Sequence, residues 1–203
     1  SILFSGDLGR QSDFIMPPPE IPHGASTVIL ESTYGNRLHE RADAENILAN
    51  VINRTFRRGG TILIPSFAVG RAQVVLYMLW MLKQKKLIPD IPVYLNSPMA
   101  ASANEVFIRY AGNHKLSSEM AQNVCATAQV VRDVEESIRV NESREPKILI
   151  AASGMATGGR ILHHLQRRLP DPNQAVLLVG FQSAGTRGRA LREGATTVRI
   201  FGQ

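Results

Sequence analysis

Cys125 is the only cysteine in this chain of 203 residues, so no internal disulfide can form and a reducing compartment, the cytoplasm, is the expected location. Long apolar runs are missing too. The longest, Val74 to Leu82, has nine residues, about half of the ~18 that would suggest a membrane span. No signal peptide is present, so no membrane partner is expected. Metal-binding histidine pairs are also absent. The five histidines are His23, His39, His114, His163 and His164, and no two have H-x-H spacing. His163 and His164 are adjacent on a helical pattern and would point about 100° apart, which is poor for sharing one ion. A hydrophobic share of 44% with 20% charged residues excludes a disordered chain. An initiator methionine is lacking as well: the chain begins at Ser1 directly before the apolar run Ile2 to Phe4, and stops at Gln203 just after Val198 to Phe201. Both ends look cut, and the expectation is a piece of a longer protein.

What is present begins with charge. Lysine and arginine outnumber the acids, giving +6 and a pI near 9.9. Nucleic acid, a nucleotide or an acidic surface would suit that balance, and so would a charge that only keeps the protein soluble. The richest stretch is KILIAASGMATGGRILHHL, Lys147 to Leu165. Ile148 to Ala152 reads as a strand buried on both faces. From Arg160 onward, Ile161, Leu162, Leu165 and Leu169 recur at helical spacing until Pro170. Between them Gly154, Gly158 and Gly159 permit a sharp turn that leaves backbone N–H groups bare at a helix start, where an anion is well received. Ser153 adds a hydroxyl and Arg160 a guanidinium fork.

The same grammar recurs along the chain. Strand-like runs at 2–4, 27–30, 61–65, 93–95, 129–132, 148–152 and 175–179 alternate with helical patterns, among them an amphipathic one from Arg41 through Ile52 and one apolar almost all round through Leu82. This predicts an α/β fold, a mostly parallel central sheet with helices on both faces. Polar residues follow each strand: Ser66 and Arg71, then Asn96 and Ser97, then Ser153 and Arg160, then Gln182, Thr186, Arg187 and Arg189. In a parallel sheet these positions share the carboxyl edge, where open α/β folds take ligands. Such a row suits a ligand with several phosphates. Asp7 and Glu31, each just beyond a strand-like run, are the best acidic candidates for metal or water chemistry. Tyr34 and Phe181 are candidates for stacking on bases or for the rim of the core.

SGDLGR (Ser5 to Arg10), ESTYG (Glu31 to Gly35), PSFAVGR (Pro65 to Arg71), LNSPMA (Leu95 to Ala100), SGMATGGR (Ser153 to Arg160) and GFQSAGTRGR (Gly180 to Arg189), in that order, resemble the metallo-β-lactamase-fold nucleases that carry a β-CASP domain. The resemblance implies that residues 1–35 are a small strand-rich remnant of the metallo-β-lactamase catalytic domain. It makes 36–195 the β-CASP RNA-binding domain and 196–203 the start of the strand returning to the catalytic domain. It also implies that Asp7 matches an aspartate bridging two zinc ions, a metal role only in the intact protein, and that Glu31 matches a catalytic acid. The family's H-x-H-x-D-H motif and later histidine motifs are not in this sequence, so two zinc ions are expected in the full-length protein and none in this segment. The expected partners are single-stranded RNA and the remaining metallo-β-lactamase domain of the same protein, with a homodimer also compatible. The residues expected on RNA are Ser66, Arg71, Asn96, Ser97, Ser153, Gly154, Gly158, Gly159, Arg160, Gln182 and Arg187. Two other readings stay open: a nucleic-acid or nucleotide binding module without catalysis, and a doubly wound sugar-phosphate or nucleotide enzyme.

Overall fold

A computed structural model describes residues 1–36, 38 and 43–203. His39, and Arg41 where the first amphipathic pattern begins, lie outside the described residues. Two short parallel strands, β1 (Ile2–Phe4) and β2 (Thr27–Ile29), pair with each other alone. The proline-rich stretch between them contains no helix or strand, as rings without an N–H require.

The rest is built on a five-stranded, wholly parallel sheet: β3 (Ile62–Pro65), β4 (Val93–Asn96), β5 (Gln129–Val130), β6 (Ile148–Ala151) and β7 (Ala175–Val176), in the order β5-β4-β6-β3-β7. All four residues of both β3 and β6 are buried, which is why they read as unbroken apolar runs rather than alternating ones. The residues alternate between two cores. Ile62, Ile64, Val93, Leu95, Ile148 and Ile150 face one with α1 (Ala44–Arg57), α2 (Arg71–Gln84), α3 (Pro98–Arg109) and α4 (Ser118–Ala126). Leu63, Leu149 and Ala151 face the other with α5 (Val134–Glu142) and α6 (Ile161–Arg168). Helices therefore cover both faces, as the alternation of patterns predicts. α7 (Arg187–Arg192) closes the series. Ile15, from the segment joining β1 to β2, is buried in the first core.

β7 is shorter than the apolar run 175–179. Its last ladder bond runs from the Leu177 N–H to the Leu63 carbonyl at 2.8 Å. The ladder stops there because the next bond would need an N–H from Pro65, which has none, and beyond it Val179 lines a cavity. The α2 pattern, apolar all round, does mark an interior helix: Leu76, Leu79 and Leu82 are fully buried.

The second core carries polar groups that the periodicity does not reveal. Lys147 donates to the carbonyls of Ser143 (2.7 Å) and Val140 (3.3 Å), and Arg168 to those of Asn141 (2.9 Å) and Ser143 (3.1 Å). Two buried cations thus satisfy the orphan carbonyls at the end of α5. His164, with no exposed surface, lies between two amides. The Asn96 Nδ2 donates to His164 Nε2 at 2.7 Å, so Nδ1 carries the proton and donates to Asn141 Oδ1 at 3.0 Å. Burial first, and then the neighbouring Arg168 charge, push this imidazole down to about 4 from 6.5.

Above pH 6.5 both folded and unfolded chains hold a neutral ring. As pH falls toward about 4, only the unfolded chain takes up the proton, so stability falls by roughly 3 kcal/mol across that window. Urea unfolding as a function of pH should show this slope in the parent and lose it in His164→Gln, whatever that variant's absolute stability.

Candidate functional site

Pro65, Ala151 and Asn96 lie in register at the carboxyl ends of β3, β6 and β4. Ser66, Ser97 and the 153–160 loop therefore leave the sheet side by side. The chain departs from β3 into α2 and from β4 into α3 on one face and from β6 into α6 on the other, so the connections part at the β3–β6 and β4–β6 boundaries, the kind of crevice that open α/β sheets use for ligands.

The loop after β6 is folded upon itself. The Ser153 N–H donates to the Gly158 carbonyl at 3.1 Å, and the Ser153 hydroxyl accepts from the N–H groups of Thr157 (3.1 Å) and Gly158 (3.2 Å). Gly159 has φ +76°, and a Cβ there would run into the Ala152 carbonyl. A Cβ on Gly154 would lie 2.8 Å from Phe67 Cδ2, whereas one on Gly158 would meet nothing within 4 Å. Two of the three glycines are thus demanded by close approach and one is not. Among the described residues the N–H groups of Gly159 and Arg160 donate to nothing, which leaves two backbone donors at the start of α6.

The side chains of the row divide into builders and free groups. Arg160 does not point its fork at its own loop: Nη1 donates to Asn96 Oδ1 (2.8 Å) and the Val131 carbonyl (3.2 Å), and Nη2 to the Arg132 carbonyl (3.2 Å). Asn96, fully buried, is thereby the link between Arg160 and His164. Gln182, also buried, donates to the carbonyls of Gly154 and Gly180, both at 3.0 Å. Arg187 ties the Ala156 carbonyl (3.3 Å) to that of Arg199 (2.5 Å), and Arg189 pairs with Glu193 one helical turn on. Ser97 and Thr186 cap α3 and α7, and Ser66, 3% exposed, donates to the Phe67 carbonyl. Arg71, the first residue of α2, differs from the rest. Its guanidinium makes no hydrogen bond or ion pair among the described residues.

Arg71 instead lines a cavity of about 820 Å³ together with Arg10, Asp13, Asp7, Glu31 and Tyr34. Asp7 and Glu31 reach it from the carboxyl ends of β1 and β2, where the Glu31 N–H donates to the Ser5 hydroxyl at 3.0 Å. Hydrogen bonds from Thr33, its backbone N–H foremost at 2.9 Å, hold the Glu31 carboxyl below its usual range, so it is an anion. Tyr34 packs edge to face against Phe181, centroids 5.6 Å apart, so these two aromatics contact one another. His163 is exposed and packs on Phe201 at 4.7 Å. Burial pushes the Cys125 thiol up to about 11, which excludes it as a nucleophile. Among the described residues no three His, Cys, Asp or Glu side chains are grouped to hold a metal ion. The residues present do not by themselves fit zinc, which takes about four ligands. Arg10 and Asp13, cavity residues that sequence reasoning did not single out, had their signal in their closeness to Asp7.

A family model described as Beta-Casp domain matches residues 72–191, more than half of the chain. Ribonuclease TTHA0252 of Thermus thermophilus is 36% identical over all of this chain and 48% of its own length. The RNase J-like protein of Methanocaldococcus jannaschii is 32% identical over 98% of this chain and 48% of its own length. The transcription termination factor FttA of Methanosarcina mazei is 32% identical over all of this chain and 33% of its own length. The chain thus spans a third to a half of the length of these curated relatives.

The glycine geometry makes a paired test. Gly159→Ala should cost about 1–3 kcal/mol of stability, because the added Cβ meets a backbone carbonyl in a left-handed turn. Gly158→Ala should stay within about 0.5 kcal/mol. Denaturant midpoints of the two variants, measured side by side, check the difference.

Proposed function

The chain belongs to the β-CASP nuclease family, and from that premise we propose that it is the RNA-gripping segment of a metal-dependent RNA phosphodiester hydrolase. The observation that carries the reading is the cavity in which the carboxylates of Asp7 and Glu31 stand together with the guanidinium of Arg71, which has no partner among the described residues. A guanidinium beside a parallel sheet's carboxyl edge is suited to a phosphate oxygen. The N–H groups of Gly159 and Arg160, without acceptors among the described residues, offer a second phosphate contact on the same edge. A net charge of +6 favours the approach of a polyanion.

In this reading Asp7 contributes one carboxylate to a two-zinc centre whose other ligands come from sequence outside this chain. Residues 1–35 belong to that catalytic domain, 36–195 form the cap and 196–203 lead back. The short exposed pair β1 and β2 supports the division, since two parallel strands alone are too little sheet to stand by themselves. This segment alone would hold RNA and do no chemistry. The intact protein would act in the cytoplasm on single-stranded RNA, and no helix among the described residues is long and apolar enough to cross a membrane.

Asp7→Asn in the intact protein should lower RNA cleavage by on the order of 100-fold or more, while leaving RNA affinity within about 2-fold, since its role is on the metal side rather than the backbone grip. Cleavage of a labelled single-stranded RNA alongside binding in chelator separates the two effects. Loss of binding with cleavage per bound RNA unchanged would move Asp7 to the RNA grip.

A further inference from the structure

Several aromatic rings of this fold pack on another ring, whereas Phe67 has no ring contact among the described residues and is 46% exposed on a loop whose immediate neighbours, Ser66 and Ala68, are 3% and 7% exposed. The loop cannot swing to bury it. The Ser66 N–H is bonded to the Ala151 carbonyl of β6 at 3.0 Å, the Ser66 hydroxyl to the Phe67 carbonyl at 3.1 Å, and that same carbonyl accepts from the Ala72 N–H at 3.2 Å. The ring itself is laid against Gly154, whose missing side chain makes room for it: a Cβ there would be 2.8 Å from Cδ2 and 3.0 Å from Cε2. One side of the ring is thus held by the loop after β6 and the remainder is open to solvent, at the β3–β6 boundary where the connections part.

Resting on the RNA-binding reading above, we infer that Phe67 is a stacking platform for a base of the single-stranded substrate. An aromatic face held rigid on one side costs little entropy to use, and every base offers a π-face to it. The residues around it supply the complementary polar part: the N–H groups of Gly159 and Arg160, without acceptors among the described residues, at the far end of the loop that supports the ring, and Arg71 four positions along the chain. Stacking at this point would turn one base toward the sheet and leave its phosphates for those donors. The contact would be tolerant of base identity, because a ring reads area rather than a hydrogen-bond pattern.

The test uses the intact protein in chelator, so that nothing is cut, and two probes of equal length: an oligouridylate and an abasic ribose-phosphate oligomer. Phe67→Ala should weaken oligouridylate binding on the order of 5- to 100-fold and leave the abasic oligomer unchanged. Phe67→Leu, which keeps an apolar side chain over Gly154, should lose affinity in the same selective way, and Phe67→Trp should keep it. Equal losses on both probes, or no loss on oligouridylate, overturn the platform while leaving the RNA-binding reading intact. If the unaltered protein binds neither probe, both readings fall together.

Discussion

Strand β6 has no free edge and no exposed face. It is paired over its full length with β4 on one side and β3 on the other, and all four of its residues are buried. A strand so enclosed can carry polar function only where it ends, and its end is fixed to within the pairing of Ala151 with Asn96 and Pro65. Everything on the carboxyl edge takes its position from that register. The 153–160 loop starts there, Phe67 rests on Gly154 of that loop, and Arg160 reaches across to Asn96 at the end of the adjacent strand.

The polar residues along this edge do two kinds of work. Asn96, Arg160, Gln182 and Arg187 spend their hydrogen bonds on other parts of the protein, holding loops from four strands in one arrangement. Their contribution is preorganisation, so that a ligand meets donors already in place and less ordering is needed on binding. Arg71 and the N–H groups of Gly159 and Arg160 keep donors without protein partners among the described residues. The network behind them extends through His164 to Asn141 and is neutral at its centre. The imidazole keeps one tautomer over the ordinary pH range, so the network holds its arrangement there.

Much of this was legible in the sequence for a physical reason. Strands buried on both faces must be apolar throughout, so β3 and β6 announce themselves, and the residue after each strand in a parallel sheet has only one edge to occupy. The glycines of the loop were legible as a turn. What they were for was not, because Gly154 serves a ring 87 positions earlier in the chain and Gly159 serves a carbonyl seven positions back. The Asn96–His164 bond joins residues separated by 68 positions, and polar side chains in a core carry no periodic signal. Arg160 read as a fork aimed at its own loop because sequence gives position but not side-chain direction. β7 read too long because an apolar run continues whether the chain pairs with a neighbour or turns to line a cavity.

The central claim is that RNA lies along the carboxyl edge of the sheet. Amide hydrogen exchange of the intact protein, with and without a single-stranded RNA, tests it most directly. Protection is expected in 66–71, 153–160 and 180–189. The opposite edge offers a competing set of cations, Arg54, Arg57, Arg58, Lys83, Lys85 and Lys86, at the ends of α1 and α2. Protection confined to 54–58 and 83–86, with the carboxyl-edge turns unchanged, would contradict the account.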